Sequence, residues 1–269
     1  VTKKKLWTIG EIDATGVRGP HEFELQNISK NKSLVFKDIP LNELKRIVEE
    51  NLGAKIDNIG LNEDWTISLE MFPEVNIHLT YTYYGDEFGD DLEAEFKFFF
   101  SGDHSWWIPG EDTATYIDII MDLLERKIKK IEPFEKNYAT KTDLMKKVLL
   151  QRSKPFSLLK KEDDKSLTDF LNAIVKINTD RIKIEKEILP HIIITVTWTQ
   201  EKGLDILFAG EKLPENLSNY HVELLGIFLI NHVLRFITIK NEGRKLPDIC
   251  YIMFSRYYTK EKGWSHRRV

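Results

Sequence analysis

Between Trp65 and Phe100 the apolar positions recur every second residue. Trp65, Ile67 and Leu69 alternate with Thr66, Ser68 and Glu70, and Val75, Ile77, Leu79, Tyr81 and Tyr83 alternate with Asn76, His78, Thr80 and Thr82. A third run sets Leu92, Ala94, Phe96 and Phe98 against Glu93, Glu95 and Lys97. A period of two predicts half-buried strands of an antiparallel sheet with one wet face. Elsewhere the period is helical. Leu41, Leu44, Ile47, Val48 and Leu52 predict a helix over 42–52 stopped by Gly53, and Ile117, Ile120, Leu124 and Ile128 predict another over 115–131 with basic residues at its C-terminal end. A short basic helix is expected over 141–151 and a further one opening at Ser166 and running to about Val175.

The same order of elements is written twice. Thr80-Tyr81-Thr82-Tyr83, a turn, a strand closed by Ser101-Gly102-Asp103 and an amphipathic stretch from Tyr116 are followed about 110 residues later by a second set. There Thr195-Val196-Thr197-Trp198 leads through a turn to a strand closed by Ala209-Gly210-Glu211 and a stretch from Tyr220. The fold class expected is therefore α+β: two similar halves, each an antiparallel β-meander covered by helices on one face. The charged run Lys160 to Lys165 marks the boundary, giving an N-terminal half over 1–160 and a C-terminal half over 161–269, able to pack as one unit. The opening segment Lys5 to Asn27, broken at Ala14 to Pro20, reads as an edge hairpin, and Asp248 to Tyr257 as an appended strand.

Charge divides along the chain. Residues 1–135 carry 15 Lys and Arg against 27 Asp and Glu, a balance of −12, and residues 136–269 carry 24 against 16, or +8. Such asymmetry suits attraction within the chain, head-to-tail association, or a polyanion held by the basic half. Cys250 is the single cysteine, which rules out an intramolecular disulfide, and its apolar neighbours suggest a buried strand. The longest apolar run, Val222 to Ile230, is interrupted by Glu223, so no membrane span is expected, and the basic N-terminus lacks an apolar leader, which reads as cytoplasmic. Three glutamines against abundant Lys, Glu and Ile hint at a thermophilic source.

Candidate chemistry gathers where the two halves differ. The loop 102–113 exceeds its counterpart by about four residues, His104 to Trp107. Asp103, His104 and Glu111 form a candidate acid-base set, and Asp103, His104 and Asp112 a candidate set of ligands for a divalent metal. Trp106 and Trp107 would wall a ring or sugar. The competing reading has Asp112 or Thr113 capping the following helix, the tryptophans lidding the core and His104 in a turn. Asp86, Glu87, Asp90 and Asp91 crowd one turn as oxygen donors for a hard cation. Arg256, Tyr257, Lys260, Trp264, Arg267 and Arg268 interleave cations with aromatic rings, the combination that follows a phosphate backbone and stacks on bases. Dinucleotide, P-loop and hydrolase-elbow motifs do not occur. The leading expectation is a binding or scaffolding protein that self-associates through a sheet edge or helix faces. The alternative is a metal-assisted hydrolase or transferase in loop 102–113, and the third is nucleic-acid or polyanion binding by the basic tail.

Overall fold

The computed structural model describes residues 5–17, 19–86, 93–132, 141–210 and 217–256. They fall into two compact units: one holds residues from 1–13, 17–106 and 110–132, the other residues from 14–16, 107–109 and 133–269. Each contains a four-stranded antiparallel meander, so the fold is α+β with two similar halves. In the first unit the helices α1 (Ile9–Ile12), α2 (Pro20–Lys32) and α3 (Leu41–Leu52) precede β1 (Lys55–Asp57), β2 (Trp65–Phe72), β3 (Val75–Tyr83) and β4 (Ala94–Ser101), and α4 (Gly110–Ile128) follows. In the second, α5 (Asp143–Arg152) and α6 (Asp164–Leu171) precede β5 (Ile174–Ile177), β6 (Arg181–Leu189), β7 (Ile192–Thr199) and β8 (Gly203–Ala209). Then come α7 (Asn219–Lys240) and α8 (Asp248–Met253).

The repeat is wider than the alternating pattern reveals, because it begins at α2 and α5. A 3-10 turn follows each, carrying the buried Phe36 and Phe156. The next helix ends on a left-handed residue, Gly53 with φ 62° after α3 and Asn172 with φ 47° after α6. The central hairpins agree in atomic detail. Pro73-Glu74 and Pro190-His191 are two-residue turns with positive φ at the second position, 61° and 64°, and both follow a register shift, at Glu70/Phe72 and at Glu187/Leu189. The Glu74 amide donates to Glu70 Oε1 at 3.1 Å and the His191 amide to Glu187 Oε1 at 2.6 Å. Gly102 (φ 101°) and Gly210 (φ 132°) then end the fourth strand of each sheet directly against the Glu74 and His191 carbonyls, where a Cβ would collide with that oxygen.

The first core is aromatic. Phe36, Trp65, Tyr81 and Phe96 meet on one face of the sheet, with Trp65 and Tyr81 stacked at 4.6 Å between ring centroids and Phe36 edge-on to Phe96 at 5.0 Å. Tyr81 is buried, and burial pushes its hydroxyl well above the ordinary tyrosine pKa. In the second unit Ile182, Ile184, Ile194, Val196 and Ile206 form the corresponding aliphatic layer. Helix α7 is long and apolar enough to cross a membrane by length and composition, but 89% of its apolar window is buried by the fold. The buried Glu223 that interrupts it fixes the start of α5, because its carboxylate accepts the Thr142 amide at 2.8 Å and the Thr142 hydroxyl.

Several expectations are corrected. The segment from Pro20 is a helix, not the second strand of a hairpin: Pro20 occupies its first turn, where the missing N–H costs nothing, and Leu25 and Ile28 face inward one turn apart. The helix opening near Ser166 starts at Asp164 and stops at Leu171, because Asn172 turns left-handed and hands the chain to β5. The charged run 160–165 is more than a solvated connector. Its Asp163 is buried, accepts the Lys160 amide at 2.8 Å and pairs with Lys240. Asp248 to Met253 is helical, so Cys250 is buried in a helix rather than in a strand, with its thiol pKa raised by that burial. The five apolar residues 249–253 in a row fit either period, and Pro247 at the N-cap selects the helix.

Candidate functional site

The edge of the first sheet carries a recess lined by described residues of that unit. Strand order is β1-β2-β3-β4, so β4 has one side without a sheet neighbour. At one end of that side Trp7 pairs with Phe100 in an antiparallel bridge, the Trp7 amide donating to the Phe100 carbonyl and the Phe100 amide to the Trp7 carbonyl, each at 2.9 Å. Beyond Trp7 the chain turns into α1, leaves the edge, and returns as α2 alongside it. Between β4 on one side and α1 and α2 on the other lies a groove of about 560 Å3. Its apolar lining comes from Ile9, Leu25, Phe96 and Phe98, and its polar rim from Glu22, Gln26, Lys30 and Lys97.

Backbone geometry decides what this edge offers. Alternate residues of an edge strand direct both backbone polar groups away from the sheet. Because Phe100 bonds outward to Trp7, the residues of its parity, Phe98, Phe96 and Ala94, also point outward. Ser29 in α2 satisfies one of these groups, its Oγ accepting the Phe96 amide at 2.8 Å. The second unit repeats the device at the equivalent place, where Ser153 Oγ accepts the Leu204 amide at 3.2 Å. The Phe98 N–H and C=O and the Phe96 C=O have no protein partner among the described residues, and both residues line the groove.

A second polar arrangement crosses the opposite face of the same sheet, one residue from each strand. Ser68 Oγ donates to Asp57 Oδ1 at 2.9 Å, and its oxygen lies 2.8 Å from His78 Nδ1. The serine has one proton, so Nδ1 donates to it, and His78 Nε2 accepts from Ser101 Oγ at 2.9 Å. The order resembles that of a catalytic relay. Ser101 is nevertheless fully buried, at 0% exposure, and His78 is 2% exposed, so the chain of bonds ties four strands together rather than presenting a nucleophile. At the matching register positions the second sheet has Lys176, Glu185, Thr195 and Ala209, which cannot form it.

The side chains of the loop singled out by its length make structural contacts. Asp103 and His104 lie in a 3-10 turn, with the His104 amide donating to the Glu74 carbonyl and His104 Nδ1 3.0 Å from the Pro73 carbonyl. His104 therefore holds the β2–β3 turn. Trp106 packs edge-on against Trp7 at 5.3 Å between centroids, and Trp107, with φ 65°, carries the Arg256 guanidinium 5.8 Å above its ring. Glu111 and Asp112 lie in the first turn of α4, Glu111 exposed and Asp112 buried. The carboxylate that caps this helix comes from elsewhere: Asp13, at the end of α1, accepts the Gly110 amide at 2.9 Å. Among the described residues no three His, Cys, Asp or Glu side chains converge as a metal cluster.

Arg256 is also fixed through its amide, which donates to the Ala14 carbonyl at 2.8 Å. The rest of the aromatic and basic set, Tyr257, Lys260, Trp264, Arg267 and Arg268, lies outside the described residues, as do Glu87, Asp90 and Asp91. Asp86 is described, and it accepts from the Tyr83 hydroxyl at 2.5 Å. The groove leaves little trace in the amino-acid sequence because its wall is a helix that reads as a strand, and an unpaired edge leaves no mark on side-chain alternation. Its one legible sign is a serine near the C-terminal end of the first helix of each repeat, Ser29 one turn inside α2 and Ser153 just beyond α5.

Fold and groove together define an α+β protein of two similar halves, the first with an open sheet edge walled by a helix. Comparison of the chain with protein-family models, with curated proteins and with solved structures gives no match.

Proposed function

We propose that the protein is a binding module whose ligand occupies the groove between β4, α1 and α2. The observation that carries this reading is the conjunction of an apolar floor with unsatisfied backbone groups of Phe98 and Phe96 in a single recess. An empty groove of this kind exposes polar groups and apolar surface together, and a ligand that satisfies both is favoured over water. The walls are regular elements, so the recess is preformed: α2 is tied to α4 by Lys32, which meets Asp122 and Glu125 at 2.5 Å each, and to β4 by Ser29. Helix α1 is held to α4 through the Asp13 cap.

Gln26 lies on the exposed groove side of α2, and a Gln26→Trp substitution fills the recess without entering the core. The test is an NMR screen of small fragments and short peptides against the wild-type chain. Hits are expected to shift the amides of Leu25, Gln26, Phe96 and Phe98 and to be lost in Gln26→Trp with the melting temperature unchanged. Hits that scatter over other surfaces, or that bind Gln26→Trp equally well, would remove the groove from consideration.

A further inference from the structure

Resting on that reading of the groove, we propose that its ligand is a planar nitrogen heterocycle with a hydrogen-bond acceptor and an N–H donor at neighbouring positions, the edge carried by aminopyrimidines and by the adenine and cytosine bases. The hydrogen-bonding state of β4 selects this class. Of the residues that turn their backbone groups outward, Phe100 uses both on Trp7, and Phe96 has its amide held by Ser29 Oγ. Phe98, between them, keeps both its N–H and its C=O without a protein partner among the described residues, and it lines the groove. Pairing is thus taken up on either side of Phe98. The edge offers no run of main-chain bonds, only one donor and one acceptor of a single residue. These form the closely spaced pair of an antiparallel ladder, in which the N–H and C=O of one residue meet the C=O and N–H of one other. A ring nitrogen beside an amino group presents the same two complements on one rigid edge, with no chain to be ordered on binding.

Orientation and stacking follow from the strand. The N–H of a residue precedes its C=O, and β4 runs from the Ser29 end toward the Trp7 end, so the ring acceptor sits at the Ser29 end and the amino group at the Trp7 end. Hydrogen bonds to a carbonyl stay near its plane, which makes the ring a continuation of the sheet. Its two faces then meet different walls. On the core side stand the buried Leu25 and Ile9, beside the rings of Phe96 and Phe98. On the other side Lys97 and Phe99 project from β4 with the opposite pleat. The Lys97 ammonium is engaged by Glu95 at 2.6 Å, so what it lays along the ring is its apolar stem. Apolar surface on both faces, with a donor and an acceptor at the inner edge, favours a flat heterocycle. A carboxylate supplies acceptors only and leaves the Phe98 carbonyl facing a like group.

The probes are 2-aminopyrimidine, its N,N-dimethyl analogue, adenosine and cytidine, titrated against the full chain with the backbone amides followed by NMR. We expect the aminopyrimidine to bind saturably and to move the Phe98 amide proton downfield, because that amide gains a ring nitrogen as acceptor. The dimethyl analogue keeps the ring and the acceptor but lacks the donor, and is expected to bind about fivefold more weakly or worse. Gln26→Trp is expected to abolish the Phe98 shift. Either nucleoside binding more tightly than the aminopyrimidine supports the proposal and assigns the groove to purines or to pyrimidines. Equal binding of the amino and dimethylamino compounds, or binding that leaves the Phe98 amide unmoved, overturns the proposal and leaves the groove as a site. So do other fragments that occupy the groove while none of these heterocycles does. If no fragment, peptide or heterocycle enters the groove, the proposal and the binding-module reading fall together.

Discussion

Gly102 and Gly210 stand at the ends of β4 and β8 with φ of 101° and 132°, and each faces the carbonyl of the Pro-containing turn that opens the preceding strand. A methyl group there meets backbone that cannot move without opening the central hairpin, and the φ is unfavourable for any other L residue. Gly102→Ala and Gly210→Ala are each expected to cost at least about 3 kcal/mol, read from urea unfolding midpoints. A loss below about 1 kcal/mol at either position would show that the turn relaxes. The paired serines act at the same scale. Ser29→Ala and Ser153→Ala each remove one acceptor from an outward-pointing edge amide, for about 1 kcal/mol apiece, and the losses should add in the double variant because the sites belong to different units. A strongly unequal pair would mean that the two edges are not solvated alike.

At the scale of elements, loops rather than strands set the register of the first meander. Between β1 and β2 the buried carboxylate of Glu63 accepts the amides of Ile59, Gly60 and Leu61 at 2.5, 3.2 and 2.6 Å and the Thr66 hydroxyl at 3.1 Å. Burial by itself raises its pKa, but the amide and hydroxyl donors outweigh burial and hold it below the ordinary glutamate value. A carboxyl whose folded value is depressed contributes stability above its unfolded value, about 4.3, and loses it as pH falls through the folded one. Glu63→Gln is therefore expected to be less stable than the wild type at pH 7, with the gap closing on acidification below about pH 4. A gap independent of pH would assign the cost to packing. Element identity follows the balance of period and local chemistry. Strands β2, β3 and β7 are legible because one face of each is apolar over four or more alternations. Helix α2 is not, because Phe23, Leu25 and Ile28 interleave with polar residues in a way that suits a strand until Gly19-Pro20 is read as a helix start.

At the scale of the whole molecule, the two units have separate cores built on one plan. Leu52 in α3 and Leu171 in α6 each directly precede the left-handed residue that ends their helix and are both buried, so Leu52→Ala and Leu171→Ala should cost similar amounts, about 2–5 kcal/mol each. Thermal melts of the two variants check this, and one silent variant would show that the helices do not share a role. By itself the amino-acid sequence determined the class of fold, most strands of the two meanders, and the places where the halves diverge, while it misread the helices from Pro20 and from Asp248 as strands. The features it determined depend on periodicity and on Gly, Pro and Asn in turns, which act within a few residues. Only the tertiary structure decided which divergence forms a recess. Loop 102–113 stands out by its length, yet His104 is used in holding a turn, whereas the groove arises because α1 leaves the β4 edge and α2 returns to wall it. An unpaired backbone group is defined by what does not arrive beside it, and that depends on residues about 70 positions away, as Ser29 and Phe96 show. Side-chain order along a strand carries no record of it.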